Sequence, residues 1–189
     1  MNRRAFTLVE LLTVIAILII VMAVAMPVVT SINQAGKITQ AAQMIQDRIQ
    51  LARQHAITQN RSIEVRFYKT RNSGAIVDSY CATAIFEVGT ETGIPRQMER
   101  FEYLPSGVVI AENAQLSPLL SGAAPTQDDP RFGKNYRFVR FAADGTAAVK
   151  EGESWLSLVK EGNDGSSLPE NYAVINVVPA TGIPRTFRP

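Results

Sequence analysis

The sequence predicts an α+β chain in which one long N-terminal helix packs on an antiparallel β-sheet domain. The helix is apolar all round in its first half and amphipathic in its second. Three observations carry this prediction. Residues 11–29 are apolar apart from Thr13. Beyond them Ile38, Ala42, Ile45, Ile49, Ala52 and Ala56 recur at spacings of three and four, which draws one stripe along a helix face. After Asn60-Arg61 the period falls to two, with Ile63, Val65 and Phe67 alternating with Glu64, Arg66 and Tyr68, the pattern of a half-buried strand.

The apolar run has the length of a bilayer-spanning helix, which needs roughly 20 mostly apolar residues. A secretory signal has an apolar core of about 7–15 residues and a cleavage site beyond it. Here the amphipathic pattern continues past the run instead, so the segment is expected to stay in the mature protein. Arg3 and Arg4 precede it, and the positive-inside rule places that end in the cytoplasm. Glu10 is the one acid at the start of the run. Its carboxylate either stays at headgroup level or awaits a cationic partner, because a charge within a membrane helix is costly. A cut between Ala5 and Phe6 would leave an α-amine one helical turn from Glu10, able to pair with it in the same chain or in a neighbour. Pro27 removes one intrahelical hydrogen bond and is expected to bend the helix, with Gly36 a second weak point. From residue 6 to about residue 59 the helix would be on the order of 80 Å long if straight.

Further strands are expected at 82–88, 98–104, 108–111, 136–142, 155–159 and 172–178. Asp144-Gly145 marks a two-residue hairpin turn between Phe141 and the segment 147–149. Thr181-Gly182 turns the chain toward 184–187. Residues 113–135 show no sustained period and read as a long loop, and 162–167 as a shorter one. There is no internal repeat.

The net charge of +2 is a poor guide to partners, since removing residues 1–5 takes away Arg3 and Arg4 and leaves acids and bases in balance. No global attraction to nucleic acid follows. Cys81 is the only cysteine, which excludes an intrachain disulfide, and it reads as a small buried hydrophobe. His55 is the only histidine and falls beside the packing stripe, so catalytic dyads and zinc sites lack the residues they need. No phosphate-cradling glycine loop, metalloprotease helix or nucleophile elbow occurs. The chain therefore reads as a non-enzyme without cofactor.

Ala5-Phe6-Thr7-Leu8-Val9-Glu10, between a short basic leader and an apolar run, resembles the processing site of type IV prepilins and type II secretion pseudopilins. Ala5 stands where that family usually has Gly. The resemblance implies a pilin-like fold and cleavage before Phe6 by a prepilin peptidase, with N-methylation of Phe6. It also implies that Glu10 guides assembly and that Pro27 is the helix-kinking proline. The junction 52–60 into the strand at 62–69, the Phe141–Ala147 turn and the segment 174–182 resemble H-type (GspH/FimT-like) minor pseudopilins in their order. The implied organisation is a cytoplasmic leader, 1–5; a transmembrane and filament-core helix, 6–29; its amphipathic half, 30–60; and a periplasmic β-rich head, 61–189. The implied partners are the peptidase, other pilins in a filament and the inner membrane.

An alternative function is a DNA-binding minor pilin for DNA uptake. It rests on Arg131, Lys134, Arg137 and Arg140 among Phe132, Tyr136, Phe138 and Phe141, and on Arg185 and Arg188 near the C-terminus, since basic and aromatic side chains together bind single strands. The preferred account places those aromatics in a sheet core and the arginines in solvent, which disfavours a nucleic-acid partner. Asp128-Asp129 and Asn163-Asp164 offer oxygen ligands of the kind calcium takes, but are preferred as solvated turn residues. Trp155 and Leu119-Leu120 are preferred as core and tucked-loop residues over a pilin contact.

Overall fold

The computed structural model describes residues 8–71, 77–89, 93–122, 125, 128–129, 131–163 and 167–189, and for 24–32 the backbone alone. The helix α1 runs Leu8–Gln59 without interruption. It ends where the sequence places its end. Asn60 takes a left-handed φ of 52° and the Arg61 amide reaches back to the Ala56 carbonyl at 3.2 Å, a Schellman-type cap. The backbone stays helical through position 27; the Pro27 side chain, and Ala5 and Phe6 entirely, lie outside the described residues. The chain divides into two compact units, Met1–Gly36 and Lys37–Pro189.

In the second unit the described strands are β1 (Ser62–Thr70), β2 (Ser79–Val88), β3 (Arg96–Gln97), β4 (Glu102–Tyr103), β5 (Val108–Ile110), β6 (Tyr136–Phe141), β7 (Trp155–Lys160), β8 (Ala173–Val177) and β9 (Pro184–Phe187). They form one antiparallel sheet in the order β6-β1-β2-β5-β7-β8-β9, with β3 and β4 pairing along β2. The expected stripe Ile38, Ala42, Ile45, Ile49, Ala52 and Ala56 is buried, and it packs on the inner side chains of the sheet, among them Ile63, Val65, Phe67, Ile85, Leu156, Leu158 and Ile175.

Three local expectations are corrected. The segment 98–104 is not one strand: the Met98 and Glu99 amides both address the Ile85 carbonyl, at 2.9 and 3.4 Å. That doubling breaks the ladder into β3 and β4 and leaves 98–101 as a strap. The Asp144-Gly145 turn has a three-residue loop rather than two. Gly145 donates to the Ala142 carbonyl and Ala142 to the Thr146 carbonyl, and only Gly145 has positive φ, at 84°. That is the turn closed by a left-handed glycine, not the form with two positive-φ residues. Finally, β1 is buried on both faces, since Glu64, Arg66 and Tyr68 are 3, 2 and 1 % exposed. The outer face of β1 and β2 carries a second cluster of Tyr68, Ala82, Ala84, Phe86 and Tyr136, covered by Phe101, Phe132 and Phe138. A bulge at Cys81, skipped between the pairs Tyr68–Ala82 and Lys69–Tyr80, lets Tyr80 join the helix-side core while Cys81 joins Val109 and Val159 on the other side.

Residues 113–135 form a loop with a single 3-10 turn, Pro118–Ser121, among the described residues, and Leu119 and Leu120 are buried as expected. Trp155 is half-buried rather than core. At the head's far end two glycine turns meet the helix. A Cβ on Gly182 would collide with the Gly145 carbonyl oxygen, and one on Gly145 would lie 2.8 Å from Ile57 Cδ1. Gly182→Ala is therefore expected to lower stability by about 2 kcal/mol or more, from left-handed strain plus a backbone clash. Gly152→Ala meets nothing within 4 Å despite its φ of 80° and is expected to cost only the strain, about 1 kcal/mol. Thermal or urea unfolding of a 37–189 fragment checks both.

Candidate functional site

The helix before Ala23 has no cover. Leu8, Val9, Leu11, Leu12, Val14, Ile15, Ile17, Leu18, Ile19, Ile20, Val21 and Met22 are all between 44 and 73 % exposed, at every angle around the axis. Thr13, the one polar side chain among them after Glu10, donates its hydroxyl hydrogen to the Val9 carbonyl one turn back. That bond satisfies the hydroxyl within the helix, so it enters an apolar medium without a partner from outside. Glu10 is exposed in the first turn, where a carboxylate also favours the helix N-terminus. Among the described residues no helix is long and apolar enough to cross a membrane. An isolated run of this composition has no stable place in water: each exposed aliphatic side chain would gain roughly 1.5–3 kcal/mol by leaving it.

The head grips the later helix through polar stripes on either side of the buried seam. Thr39, Gln46 and Arg53, spaced by seven, all face the C-terminal strand. Arg188 bonds Thr39 Oγ1, Thr186 Oγ1 donates to Gln46 Oε1 at 2.7 Å, and Arg53 Nε donates to the Thr181 carbonyl at 2.6 Å. On the other flank Lys37 Nζ donates to the Ser106 carbonyl at 3.1 Å and Arg48 Nε to Glu102 Oε2 at 2.8 Å. His55 Nε2 lies 3.6 Å from Glu99 Oε1, within the strap. Arg188, singled out from the sequence as a nucleic-acid contact, is thus a structural tie that also donates to Asn171 Oδ1 at 2.7 Å. Arg185 is exposed on the opposite face of β9. The seven-residue spacing was a signal available in the sequence, but its partners, well over a hundred residues away, were not.

The outer cluster holds a buried ionic network. Arg66 lies over the Phe86 and Tyr136 rings at 4.1 and 4.6 Å and pairs with Glu64 at 3.1 Å and Asp129 at 3.6 Å. Tyr68 donates its phenol to Asp129 Oδ2 at 2.8 Å, and Arg140 donates to Glu64 Oε1 at 2.7 Å. Burial, reinforced by the Asp129 carboxylate, pushes the Tyr68 phenol far above its ordinary range. Asp129, weighed as a calcium ligand, is committed to Arg66, Tyr68 and the Arg131 amide. Asp128 is exposed, Asp164 lies outside the described residues, and no group of three His, Cys, Asp or Glu side chains converges among those described. Arg137 and Arg140 are likewise engaged: Arg137 is half-buried and donates to the Leu120 carbonyl at 2.9 Å, contrary to the expectation that it faces solvent. Tyr136 and Phe141 are buried, and Phe132 and Phe138 are half-buried against the outer cluster. Cys81 donates to the Thr70 carbonyl, and burial pushes its thiol up to about 11. It packs with Val109, Ala111 and Val159, whereas His55 lies beside Glu99.

Residues 1–26 match the family model of the prokaryotic N-terminal methylation motif. Two structures of the minor pseudopilin EpsH from the type II secretion system of Vibrio cholerae share the fold. One is 15 % identical with a TM-score of 0.51, covering 81 % of this chain and 98 % of that one. The other is 15 % identical with a TM-score of 0.50, covering 82 % and 95 %. The type IV minor pilin FimU of Pseudomonas aeruginosa is 14 % identical over 82 % of this chain and 89 % of its own, with a TM-score of 0.45. No curated protein matches the chain.

Removing one member of the ionic network strands the others. Glu64→Ala is expected to destabilise the head by about 3–5 kcal/mol, because Arg66 is left buried beside one carboxylate; denaturant unfolding measures it. Glu87 gives a pH dependence of known sign. Burial opposes its ionisation, but the Arg96 and Arg61 guanidiniums outweigh that and hold its carboxyl below the usual range. Its contribution is therefore present above the ordinary glutamate value, about 4.3, and lost as pH falls through the lower folded-state value. In Glu87→Gln the acid limb of melting temperature against pH is expected to be shallower.

Proposed function

We propose that this chain, prepilin-type at its N-terminus and pilin-like in its fold, is a structural subunit of a type II secretion or type IV pilus-like filament, acting as a minor pseudopilin. The observation that carries the proposal is the all-round apolar surface of residues 8–22, interrupted by Glu10 in its first turn and attached to a head that closes its own core without it. A surface of that kind is covered by lipid before assembly and by neighbouring helices afterwards. The methylation motif over 1–26 supports the same account.

In this proposal residues 1–5 stay in the cytoplasm, and a prepilin peptidase cuts between Ala5 and Phe6 and methylates the new terminus. The protein spans the inner membrane once with its head in the periplasm. Glu10 pairs with the α-amine of Phe6 in a neighbouring subunit. Burial of both charges in the apolar assembly makes that pairing specific, because a misregistered helix leaves a carboxylate unpaired in hydrocarbon. Pro27 supplies a bend between the membrane half and the half that the head grips. No catalytic role is assigned: the sole His and sole Cys serve packing and the strap.

The mature protein is expected to begin at N-methylated Phe6, read by N-terminal sequencing and intact mass. A mature chain starting at Met1 would refute the processing. Glu10→Ala is expected to leave membrane insertion unchanged while reducing recovery in sheared filaments at least about tenfold, the effect of roughly 1.4 kcal/mol. Undiminished recovery would remove the role given to Glu10.

A further inference from the structure

A cleft of about 170 Å³ opens on the outer side of the sheet, lined from the strap by Phe101 and from the 129–133 loop by Asp129, Arg131 and Phe132. Tyr68 of β1 and Phe86 of β2 complete its aromatic walls. These walls are set in advance. Phe101 and Phe132 stack at 4.9 Å with 12° between their planes, and each lies 5.0 Å from the Tyr68 ring. The Tyr68 phenol is held by Asp129. Asp129 and Gly133 exchange both backbone hydrogen bonds, at 2.8 and 2.9 Å, and so close the loop that carries Phe132. Phe101 and Phe132 are half-buried, which leaves part of each ring open.

Charge around the cleft is one-sided. Asp129 is spent on Arg66, Tyr68 and the Arg131 amide, so it calls for no further cation. Arg131 in the cleft wall, Arg100 next to Phe101 and Lys134 two residues past Phe132 are exposed. None of the three side chains is in an ion pair among the described residues. The exposed acid beside them is Asp128, while Glu99 and Glu102 are paired with Arg48.

We infer that the cleft docks an acidic segment of another polypeptide, which inserts one aromatic side chain and lays its carboxylates on Arg100, Arg131 and Lys134. An apolar cavity of roughly 150 Å³ holds one benzene ring, so the cleft matches a single six-membered ring. Four surrounding rings offer an aromatic occupant edge-to-face and offset contacts that an aliphatic one lacks. Guanidiniums at the mouth attract carboxylates and repel a cationic occupant. A ring anchored in a pre-formed pocket is the arrangement of an interface hot spot, because little order has to be gained on binding. Single-stranded nucleic acid suits it less, since strands stack on rows of rings and this cleft accepts one. The inference does not depend on filament assembly.

Fluorescence anisotropy on the full chain in neutral phosphatidylcholine nanodiscs tests this, with labelled acetyl-Glu-Asp-Phe-Asp-Glu-amide as the probe. The expected dissociation constant is below about 1 mM, and replacing the peptide's Phe by Ala, or its acids by Lys, weakens binding at least about tenfold. The double variant Arg100→Glu, Arg131→Glu is expected to weaken it as much with an unchanged melting temperature, whereas Lys150→Glu, outside the cleft, leaves it unchanged. Phe132→Leu keeps an apolar cover but removes the ring, and is expected to weaken the Phe peptide and not the Ala peptide. Equal binding of the Phe and Ala peptides, no binding of either, or a loss in Lys150→Glu as large as in the double variant would overturn the inference. Displacement of the peptide by oligothymidylate would also overturn it, by assigning the cleft to single-stranded nucleic acid.

Discussion

The stripe Ile38 to Ala56 on the helix is the contact on which the head depends. It fills much of the inner face of the sheet, with Leu119 and Leu120 of the 3-10 turn joining the same core. A fully buried isoleucine contributes roughly 1.5–3 kcal/mol, and Ile38, Ile45 and Ile49 are each wholly inaccessible. The exposed ion pairs and polar ties at either side contribute far less apiece. Burial therefore holds the helix on the sheet, and the ties choose its rotation. Thr39, Gln46 and Arg53 on one flank and Arg48 and His55 on the other meet partners only when the alanines point inward. Ala42, Ala52 and Ala56 let helix and sheet approach closely, and the crowding of Gly145 and Gly182 against Ile57 and Arg53 follows from that approach.

Because the helix covers one face only, the sheet must solve its other face separately. It does so with irregular chain. The strap at 98–101 and the Asp129–Gly133 bridge lay Phe101 and Phe132 across the outer side, while the 3-10 turn at 118–121 adds Leu119 and Leu120 to the helix-side core. Arg66, caught beneath this cover, is neutralised in place by Glu64 and Asp129, while Glu87, opposite Ile63 on the helix-side face, is held by Arg61 and Arg96. This is why the alternation in β1 misleads. Glu64 and Arg66 have the period of a solvent-facing row, and a one-dimensional pattern carries no sign of a loop that returns from residue 129 to bury it.

The helix and most strands were legible because their evidence is local. The seam has a period of three to four, β1 a period of two, and Asn60 marks the end of one and the start of the other. Strands at β5, β6, β7 and β8 fell within a residue or two of expectation for the same reason. What escaped the sequence was long-range. The 98–104 segment has the composition of a strand, but β2 is already paired along one edge and its other edge is shared among β3, β4 and β5. The role of Arg188 was hidden likewise: a terminal arginine looks like an external contact until the chain brings it to Thr39. At the N-terminus the legibility is of another kind. Glu10 stands out by chemistry alone, as an acid in a run with no other ionisable group up to Pro27.

That isolation bears on how one helix would serve the two environments of the proposed function. Lipid and the interior of a helix bundle are equally apolar, so leaving the bilayer for a filament gains little from hydrophobic burial. Leucine and isoleucine at residues 8–22 make the transfer permissible without making it directional. Direction has to come from groups whose state differs between the two media. Thr13 does not differ, since its hydroxyl is already bonded to Val9. In the proposed function Glu10 does: in the bilayer it would need water or headgroups, whereas among neighbours it would meet an α-amine. The head adds what an acid at one end cannot, a fixed orientation about the helix axis. In the proposed filament the carboxylate at the first turn would set axial position, and the clamped head would set rotation.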